Sequence, residues 1–298
     1  MTTRWRVVDL CNYTRQVTTG RGRIIIDNQE VPLDDICAIL TGSETQWCGG
    51  VVALAAKYDV PILTCDWRGI PIAGTFPWSH NSRVAARHHA QAELSLPRSK
   101  NAWMRIVKAK IRGQAGVLRV HSPGNADRLD ALAGTVRSGD PHNVEAQAAR
   151  YYWSHLFPAE GFSRTPGLGQ GLNGFLDYGY TILRGYTIRA ICVAGLWPTL
   201  GMWHHQRSNT FGLADDLMEP FRPAVDTLVK ELQVTKAEDG LLDPDAKHQL
   251  VQVTSLSMTR GVGDTVATAI STLVQRFAIY IEGDVQSLEV PIWQEPDG

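Results

Sequence analysis

The densest group of potentially reactive side chains lies at residues 204–223, which hold two histidines, three carboxylates and two arginines. Asp215 and Asp216 precede Glu219 by four and three residues, so either aspartate can share a helix face with the glutamate. These acids, with imidazoles fourteen and fifteen residues upstream of Glu219, could meet at one metal ion. The alternative is an ordinary amphipathic helix with a solvated acidic face and a surface histidine pair. The segment by itself leaves both interpretations open.

A helix must position these acids. Leu213, Leu217 and Phe221 recur every four residues, which predicts a helix with one buried face. Pro220 has no backbone N–H donor, so it should kink or interrupt this helix at Glu219. The glutamate is therefore expected at a break in the helix.

A further carboxylate, Glu145, opens a predicted helix at residues 144–153 that Asn143 can cap. A carboxylate in the first turn is favoured by the helix dipole, which is a purely structural explanation of Glu145. A functional explanation is that Ala148 and Ala149, three and four residues further on, leave space beside it for a bulky ligand. Both explanations stay open at this point.

The chemistry available is that of carboxylates and imidazole. The sequence has no serine nucleophile elbow, Walker loop, Cys–His pairing or H-E-x-x-H motif. Oxygen-rich ligands with one imidazole suit Mn²⁺ and Mg²⁺ better than structural zinc. The candidate residues are Glu145, His204 or His205, and Glu219, with Asp215 and Asp216 nearby.

A basic region accompanies these acids. Residues 83–119 contain nine lysines and arginines and one acid, and the predicted helix at residues 97–120 carries Arg105, Lys108 and Arg112 on one side. Such a face can follow DNA phosphates, although basic helix faces also serve solubility alone. A metal near a phosphodiester would neutralise charge and activate a water or sugar hydroxyl. The residues thus predict a metal-dependent nuclease.

The hydrophobic pattern predicts an α+β protein with two domains. Residues 1–78 contain short apolar runs separated by turn signals, which predict a small β-sandwich-like domain with one helix at 49–58. Residues 79–298 show helical periodicity and predict a larger all-α domain. Its helices are expected at 82–96, at 97–120, within 121–141, at 144–153 and at 173–194. Further helices are expected in the segment 204–223 with a continuation to 232, before 255, and at 264–280. The tail at 293–298 is expected to be frayed or used for docking a partner.

The composition favours a cytoplasmic protein. The longest apolar runs are far shorter than a membrane span, and the N-terminal residues lack the apolar segment of a signal peptide. The five cysteines are odd in number and form no C-x-x-C pair. This argues for reduced thiols, and against a disulfide framework or a thiolate zinc site.

Three motifs in series resemble the CRISPR adaptation integrases, which insert new spacers into CRISPR arrays. They are E-A-Q-A-A-R-Y-Y-W at 145–153, N-G-F-L-D-Y-G-Y-T-I-L at 173–183, and the segment 204–223, which ends D-L-M-E-P-F-R-P. Stretches at 31–36, 60–66 and 106–112 extend the resemblance over nearly the whole chain. The short chain and its N-terminal motifs are most similar to the branch found with type II systems.

The resemblance implies an N-terminal β-domain used for dimerisation and a C-terminal helical domain with one metal site. It implies that Glu145, a histidine and Glu219 hold Mg²⁺ or Mn²⁺. The usual separation of fifteen residues between histidine and glutamate favours His204 over His205. The same residues would be the catalytic ones.

The resemblance also implies the reaction and its partners. Two homodimers would sandwich a dimer of a small ferredoxin-like CRISPR-associated protein, which gives a heterohexameric complex. That complex would join the 3′-hydroxyl ends of a captured DNA duplex to the CRISPR repeat by transesterification. Candidate DNA contacts, chosen from charge, are Arg83, Arg87, Arg105, Lys108, Arg112 and Arg222. The alternatives are a non-catalytic DNA-capturing scaffold and a general repair nuclease for branched DNA.

Overall fold

A computed structural model describes residues 6–67, 71–77, 82–158, 162–167, 170–204, 209–236, 242–259 and 264–294. Within these ranges the strands lie in the first part of the chain, with one helix among them, and the other helices follow. The strands are β1 (Arg6–Leu10), β2 (Gln16–Gly20), β3 (Arg23–Ile26), β4 (Gln29–Pro32), β5 (Ile36–Thr41), β6 (Gln46–Trp47), β7 (Ile62–Cys65) and β8 (Pro71–Thr75).

The strands form two four-stranded sheets. The first has the order β1-β5-β7-β8, with β1, β5 and β7 parallel and β8 antiparallel to β7. Every residue of β5 is buried, as expected of a central parallel strand covered on both faces. The second sheet has the order β4-β3-β2-β6, and its hairpins pack on a separate small core that includes Ile24, Leu33 and Val51.

One helix accompanies the strands and the rest follow β8. The helices are α1 (Gly49–Lys57), α2 (Val84–Ala92), α3 (Leu96–His121), α4 (Ala126–Thr135), α5 (Val144–Leu156), α6 (Gly171–Val193), α7 (Gly212–Met218), α8 (Arg222–Lys236), α9 (Pro244–Val251) and α10 (Val266–Glu282). The predicted α+β class, with a strand-rich N-terminal part before a larger helical part, is confirmed. The domain boundary between 78 and 79 stays a prediction, since both residues lie outside the described residues.

Most helix predictions are confirmed, with corrected ends. The helix predicted at 82–96 is shorter, because α2 spans Val84–Ala92 and Arg83, not Ser82, occupies its N-terminal cap position. The long helix α3 forms the centre of the helical part, with Trp103, Ile106 and Ile111 fully buried. Part of the glycine-rich stretch at 161–171 and of the acidic loop at 238–245 lies outside the described residues.

The predicted break at Pro220 is confirmed. Helix α7 ends at Met218, a 3₁₀ turn covers Glu219–Phe221, and α8 begins at Arg222. Leu213, Leu217 and Phe221 are all fully buried, as their spacing predicts. The alternative of a solvated acidic face is wrong for two of the three acids, because Asp216 and Glu219 are buried as well.

The C-terminal tail is ordered where it meets α3. The prediction of a frayed tail is wrong for Trp293, whose indole is fully buried against the helical core, while the alternative, docking of a partner by the tail, stays a prediction. Gly113 of α3 leaves room for it, since a Cβ there would lie 3.3 Å from the Cβ of Trp293. An aromatic ring that buries this much apolar area anchors the tail. Residues 295–298 lie outside the described residues.

This packing makes a stability prediction. We expect Trp293→Ala to lower the free energy of unfolding by about 3–5 kcal/mol, because it removes a buried aromatic side chain and leaves a cavity. Urea denaturation followed by circular dichroism measures the change. Gln294→Ala, which alters an exposed neighbour, is the control. A loss below about 1 kcal/mol for Trp293→Ala would show that the tail is not anchored there.

Two further expectations concern membranes and thiols. None of the helices among the described residues is long and apolar enough to cross a bilayer. All five cysteines fall within the described residues, and all are free thiols, as the sequence predicts. Three of them, Cys37, Cys65 and Cys192, are buried.

Candidate active site

Glu145 is fixed in place by the start of α5. The carboxylate of Asp140 accepts hydrogen bonds from the backbone N–H groups of Val144 and Glu145, each at 2.9 Å. Asn143 occupies the N-terminal cap position, as predicted, but its side chain makes no capping hydrogen bond to the described residues. Asp140 therefore supplies the cap and fixes the direction in which Glu145 leaves the helix.

A lysine from α3 lies between the two glutamates. The Nζ of Lys110 donates to Glu145 Oε1 at 2.6 Å and lies 2.6 Å from Glu219 Oε2. Burial alone would lower the pKa of Lys110, but the charges of Glu219 and Glu145 outweigh it and raise the pKa. Two carboxylates from different elements thus face one buried cation position.

Glu219 is held as an anion on its other side too. Arg222 Nε lies 2.9 Å from Glu219 Oε1, one helical turn further along the chain. Burial would raise the pKa of Glu219, yet Arg222 and Lys110 hold it well below the usual range. The other oxygen, Oε2, lies 2.6 Å from the Lys110 ammonium. Both oxygens of this buried carboxylate thus face a cationic side chain of the protein.

His204 is oriented by Asp216. Its Nδ1 lies 2.5 Å from Asp216 Oδ1, and Asp216 also accepts the backbone N–H groups of Trp203 at 2.8 Å and His204 at 3.2 Å. Burial raises the pKa of Asp216, and the hydrogen bond to Asp216 raises the pKa of His204. We place the shared proton on Nδ1, because the carboxylate already accepts two other donors. Nε2 of His204 then carries the free lone pair that a metal ligand needs.

Close packing fixes the ring and the backbone of His204. The imidazole meets the indole of Trp103 edge to face, with ring centroids 5.1 Å apart. A Cβ on Gly201 would lie 2.8 Å from the carbonyl oxygen of His204, and one on Gly212 would lie 2.9 Å from the same atom. Only glycine at these two positions allows the backbone to approach this closely. His205 lies outside the described residues, so the choice of His204 over His205 stays a prediction.

The N-G-F-L-D-Y-G-Y motif builds the wall next to the site. Asn173 and Asp177 of α6 both accept from Arg164, at 2.9 Å and 2.6 Å, which ties the preceding loop to the helix. Gly179 allows close contact between α6 and α8, because a Cβ there would lie 2.4 Å from Val225 Cγ1. Tyr180 donates to the buried carboxylate of Asp226 at 2.5 Å. Tyr180 is therefore a core aromatic residue with a satisfied hydroxyl.

A cavity of about 260 Å³ adjoins the two glutamates on the side of Lys110 and Arg222. Three arginines and Lys110 line it, together with the two carboxylates of Asp177 and Asp226 and with aromatic and amide side chains. Its lining includes Lys110, Gln114, Trp153, Arg164, Arg184 and Arg222. A cationic cavity with an aromatic wall suits an anionic ligand with an apolar face, such as a nucleotide unit of DNA.

The buried carboxyl group of Asp226 is expected to make the stability of the protein depend on pH. Burial raises its pKa to about 6, against the hydrogen bonds from Tyr180 and Tyr152 that lower it. The folded protein therefore holds this proton more tightly than the unfolded chain. Its stabilising contribution is present below about pH 4 and is lost as the pH rises through 6.

We expect Asp226→Asn to remove this dependence. The free energy of unfolding of the unmodified protein should fall relative to the variant by up to roughly 3 kcal/mol between pH 4 and 7. Urea titrations at several pH values measure the difference, with Asp130→Asn, an exposed ion-paired aspartate, as control. A difference that stays constant across this range would show that Asp226 is ionised throughout.

The predicted DNA contacts fall into different surroundings. Arg87 is buried and donates to the carbonyl oxygen of Ala194, so its position does not favour DNA contact. Arg83 lies 2.8 Å from Glu282. On α3, Arg112 is exposed, whereas Arg105 and Lys108 are half-buried, and Arg222 faces the site cavity. All six stay predictions, and their surroundings favour Arg112 and Arg222.

Several residues that shape the site were not singled out by sequence reasoning. Lys110 was one of nine basic residues, and nothing in its spacing connects it to acids 35 and 109 positions away. The signal that could have found Asp140 is its place shortly before a helix, since an aspartate there is a capping signal. Asp215 pairs with Arg184 at 2.7 Å, so Asp216, not Asp215, is the aspartate that contacts the histidine.

The donor set fits a divalent cation. Among the described residues, no three His, Cys, Asp or Glu side chains stand together as a ready metal cluster, and the Lys110 ammonium lies between the glutamates. Glu145 and Glu219 nevertheless direct oxygens at one point, and they also raise the pKa of His204 by their charge. Two carboxylate oxygens and an imidazole nitrogen suit Mg²⁺ or Mn²⁺.

Comparison with known proteins identifies the family. The profile described as CRISPR associated protein Cas1 matches residues 11–239. The CRISPR-associated endonuclease Cas1 of Neisseria meningitidis serogroup C is 33% identical over 297 residues, covering 96% of both chains. The chain therefore belongs to the Cas1 family of CRISPR-associated proteins, as the three motifs predict.

Solved structures share the fold. A Cas1 protein from Thermotoga maritima superposes with a TM-score of 0.75 over 95% of this chain and 99% of that one, at 18% identity. A casposase bound to its integration product gives 0.74 over 97% and 94%, at 19% identity. A Cas6-RT-Cas1–Cas2 complex gives 0.75 over 99% of this chain and 37% of that one, at 18% identity.

Proposed function

We propose that this protein is a metal-dependent DNA endonuclease and integrase of CRISPR adaptation. It joins the 3′-hydroxyl ends of captured duplex DNA to the CRISPR repeat by transesterification. The observation that carries the proposal is the convergence of Glu145 and Glu219 on one buried cation position, beside a histidine oriented by Asp216. The relatives named as endonucleases and the casposase bound to an integration product support it.

Glu145, His204 and Glu219 would hold Mg²⁺ or Mn²⁺. When bound, the metal would neutralise charge on the scissile phosphate and activate the attacking hydroxyl. Asp216 keeps the His204 proton on Nδ1 and so leaves Nε2 as a ligand. Asp140 holds Glu145 through its backbone N–H, and Arg222 holds the carboxylate of Glu219. Both contacts limit reorganisation of the glutamates at the site.

The rest of the site would hold DNA. Arg164, Arg184 and Arg222 line the adjoining cavity and suit the phosphates of a strand led to the glutamates. Trp153 offers an aromatic face for a base in the same cavity. Arg105, Lys108 and Arg112 of α3 extend the cationic surface, and Arg112 is exposed.

The partners follow from the same proposal. A related fold occurs in a Cas1–Cas2 complex, which supports a CRISPR-associated protein partner. We extend this to a homodimer through the strand-rich N-terminal part. Two such dimers would bind a dimer of the small ferredoxin-like partner in a heterohexamer. The assembly would act in the cytoplasm, where its DNA substrates are and where its free thiols stay reduced.

A strand-joining assay tests the proposal. The protein and its small partner are mixed with a short duplex, a supercoiled repeat-bearing plasmid, and Mn²⁺ or Mg²⁺. We expect covalent products with 3′-hydroxyl ends, and none with 3′-deoxy ends or after chelation of the metal. Duplex binding without any joining would favour the DNA-capturing scaffold instead. Cutting of branched DNA without the partner, and without joining, would favour the repair nuclease.

The histidine pair gives a separate prediction. We expect His204→Ala to reduce joining by about 100-fold or more, because the side chain that Asp216 orients is lost. His205→Ala is the matched control and should keep joining within about threefold of the unmodified protein. The product bands on a denaturing gel give both rates. The opposite pattern would move the metal ligand from His204 to His205.

A further inference from the structure

The buried ammonium of Lys110 is the one group in the site that a metal-dependent reaction does not explain. Its Nζ is 2.6 Å from an oxygen of Glu145 and 2.6 Å from an oxygen of Glu219, and its side chain is only 13% exposed. These are the two oxygens that face each other across the site. Lys110 thus stands where a cation shared by both carboxylates would stand.

The charges make Lys110 and a divalent cation mutually exclusive. Glu145 and Glu219 carry two negative charges, and Lys110 and Arg222 carry two positive ones, so the cluster is balanced as it stands. A divalent cation on the same oxygens would lie within a few ångströms of the ammonium, and like charges at that distance in a buried site repel strongly. One of the two cations must leave.

A cavity beside the glutamates can accept the displaced ammonium of Lys110. The same side chain lines the cavity of about 260 Å³ beside the glutamates, and its four-carbon stem is flexible. In that cavity it would stand with Arg164, Arg184 and Arg222. Asp177, which pairs with Arg164 at 2.6 Å, and Asp226 line the same cavity. The four cations outnumber these two carboxylates, and the resulting positive balance suits a DNA phosphate. Arg222 is not displaced in the same way, because it pairs with Oε1 of Glu219, the oxygen that Lys110 does not contact.

We propose that Lys110 is a resident cation that occupies the metal position in the free protein and is displaced into the adjoining cavity by a divalent metal. There its ammonium binds a phosphate of the DNA strand. The inference rests on the proposed function in taking Glu145 and Glu219 as metal ligands. It adds that metal binding must overcome an internal competitor, and that this competitor prepares the DNA site.

Metal binding without DNA tests the inference. Mn²⁺ is titrated into the full-length protein and followed by calorimetry and by the electron paramagnetic resonance of free Mn²⁺. We expect Lys110→Met to bind Mn²⁺ at least tenfold more tightly, because the competitor is gone. Lys247→Met is the matched control: it removes another lysine paired with a carboxylate, Asp9 at 3.1 Å, and should leave the affinity unchanged.

A second measurement uses the unmodified protein and does not depend on a variant that folds. Lysines are acetylated briefly with acetic anhydride, with and without Mn²⁺, and quantified by mass spectrometry. We expect Mn²⁺ to increase labelling of Lys110 several-fold, because the freed ammonium reaches the open cavity. Labelling of Lys247 should not change with Mn²⁺.

The outcomes separate the inference from the function on which it rests. Mn²⁺ binding by the unmodified protein, with equal or weaker binding by Lys110→Met, would overturn the role of Lys110 alone. Unchanged labelling of Lys110 at saturating Mn²⁺ would do the same. Failure of both proteins to bind Mn²⁺ would overturn the inference together with the proposed metal site.

Discussion

Replacing Glu219 with glutamine is expected to abolish strand joining, with a loss of at least about 1,000-fold. The carboxylate is buried, supplies one of two oxygens at the cation position and has its charge stabilised by Arg222 and Lys110. Glutamine keeps the size but removes the charge that holds a divalent cation, and a metal contributes several kcal/mol to such a reaction. At about 1.4 kcal/mol per tenfold, this corresponds to three or more orders of magnitude. Glu145→Gln should behave alike.

The control for this experiment is Glu282→Gln. Glu282 is also buried and paired with arginine, 2.8 Å from Arg83, but it lies on α10 away from the cation position. Glu282→Gln should join strands at a rate within about tenfold of that of the unmodified protein. Rates come from the appearance of joined product on denaturing gels at fixed Mn²⁺. Joining by Glu219→Gln at more than a tenth of the unmodified rate would show that the cation position is not the reaction centre.

Replacing Asp216 with asparagine is expected to weaken Mn²⁺ binding by about 10- to 100-fold without removing a ligand. Asp216 accepts from His204 Nδ1 and from two backbone N–H groups, so it fixes both the ring and the loop that carries it. Asparagine turns one acceptor oxygen into a donor and leaves one of these partners unsatisfied in a buried place. The ring then loses its fixed proton and direction.

Asp215→Asn is the matched control for Asp216→Asn. The two aspartates are adjacent, but Asp215 bonds to Arg184 and Asn209, not to the histidine. Its Mn²⁺ affinity should stay within about threefold of the unmodified protein. Calorimetric titration measures both variants. Equal losses from both, or none from Asp216→Asn, would contradict an orienting role for Asp216.

Local signals in the sequence predict the elements of the site well. Leu213, Leu217 and Phe221 define the buried face of α7 because a helix repeats its face every three to four residues. Pro220 places the break at Glu219 because a proline cannot donate the helical hydrogen bond. These effects depend on the residue itself and on near neighbours, so they can be read without the fold.

Contacts between distant elements are what the sequence could not predict. The spacing of Asp215 and Asp216 allows either to share a helix face with Glu219. The fold instead pairs Asp216 with His204 and Asp215 with Arg184, which the spacing does not indicate. Lys110 meets Glu145 and Glu219 only because α3, α5 and the 3₁₀ turn converge. Trp293 comes after the last helix, in a segment whose sequence predicts a frayed tail. It is packed in the core because Gly113 of α3 has no side chain at that contact.

Glu145, His204 and Glu219 are proposed to bind one divalent cation. Anomalous diffraction from a crystal soaked in Mn²⁺ would locate that cation. We expect a single strong peak at the position now taken by the Lys110 ammonium, within coordination distance of one oxygen from each glutamate and of His204 Nε2. A peak elsewhere, or none at saturating Mn²⁺ with Lys110 still between the glutamates, would contradict the proposal.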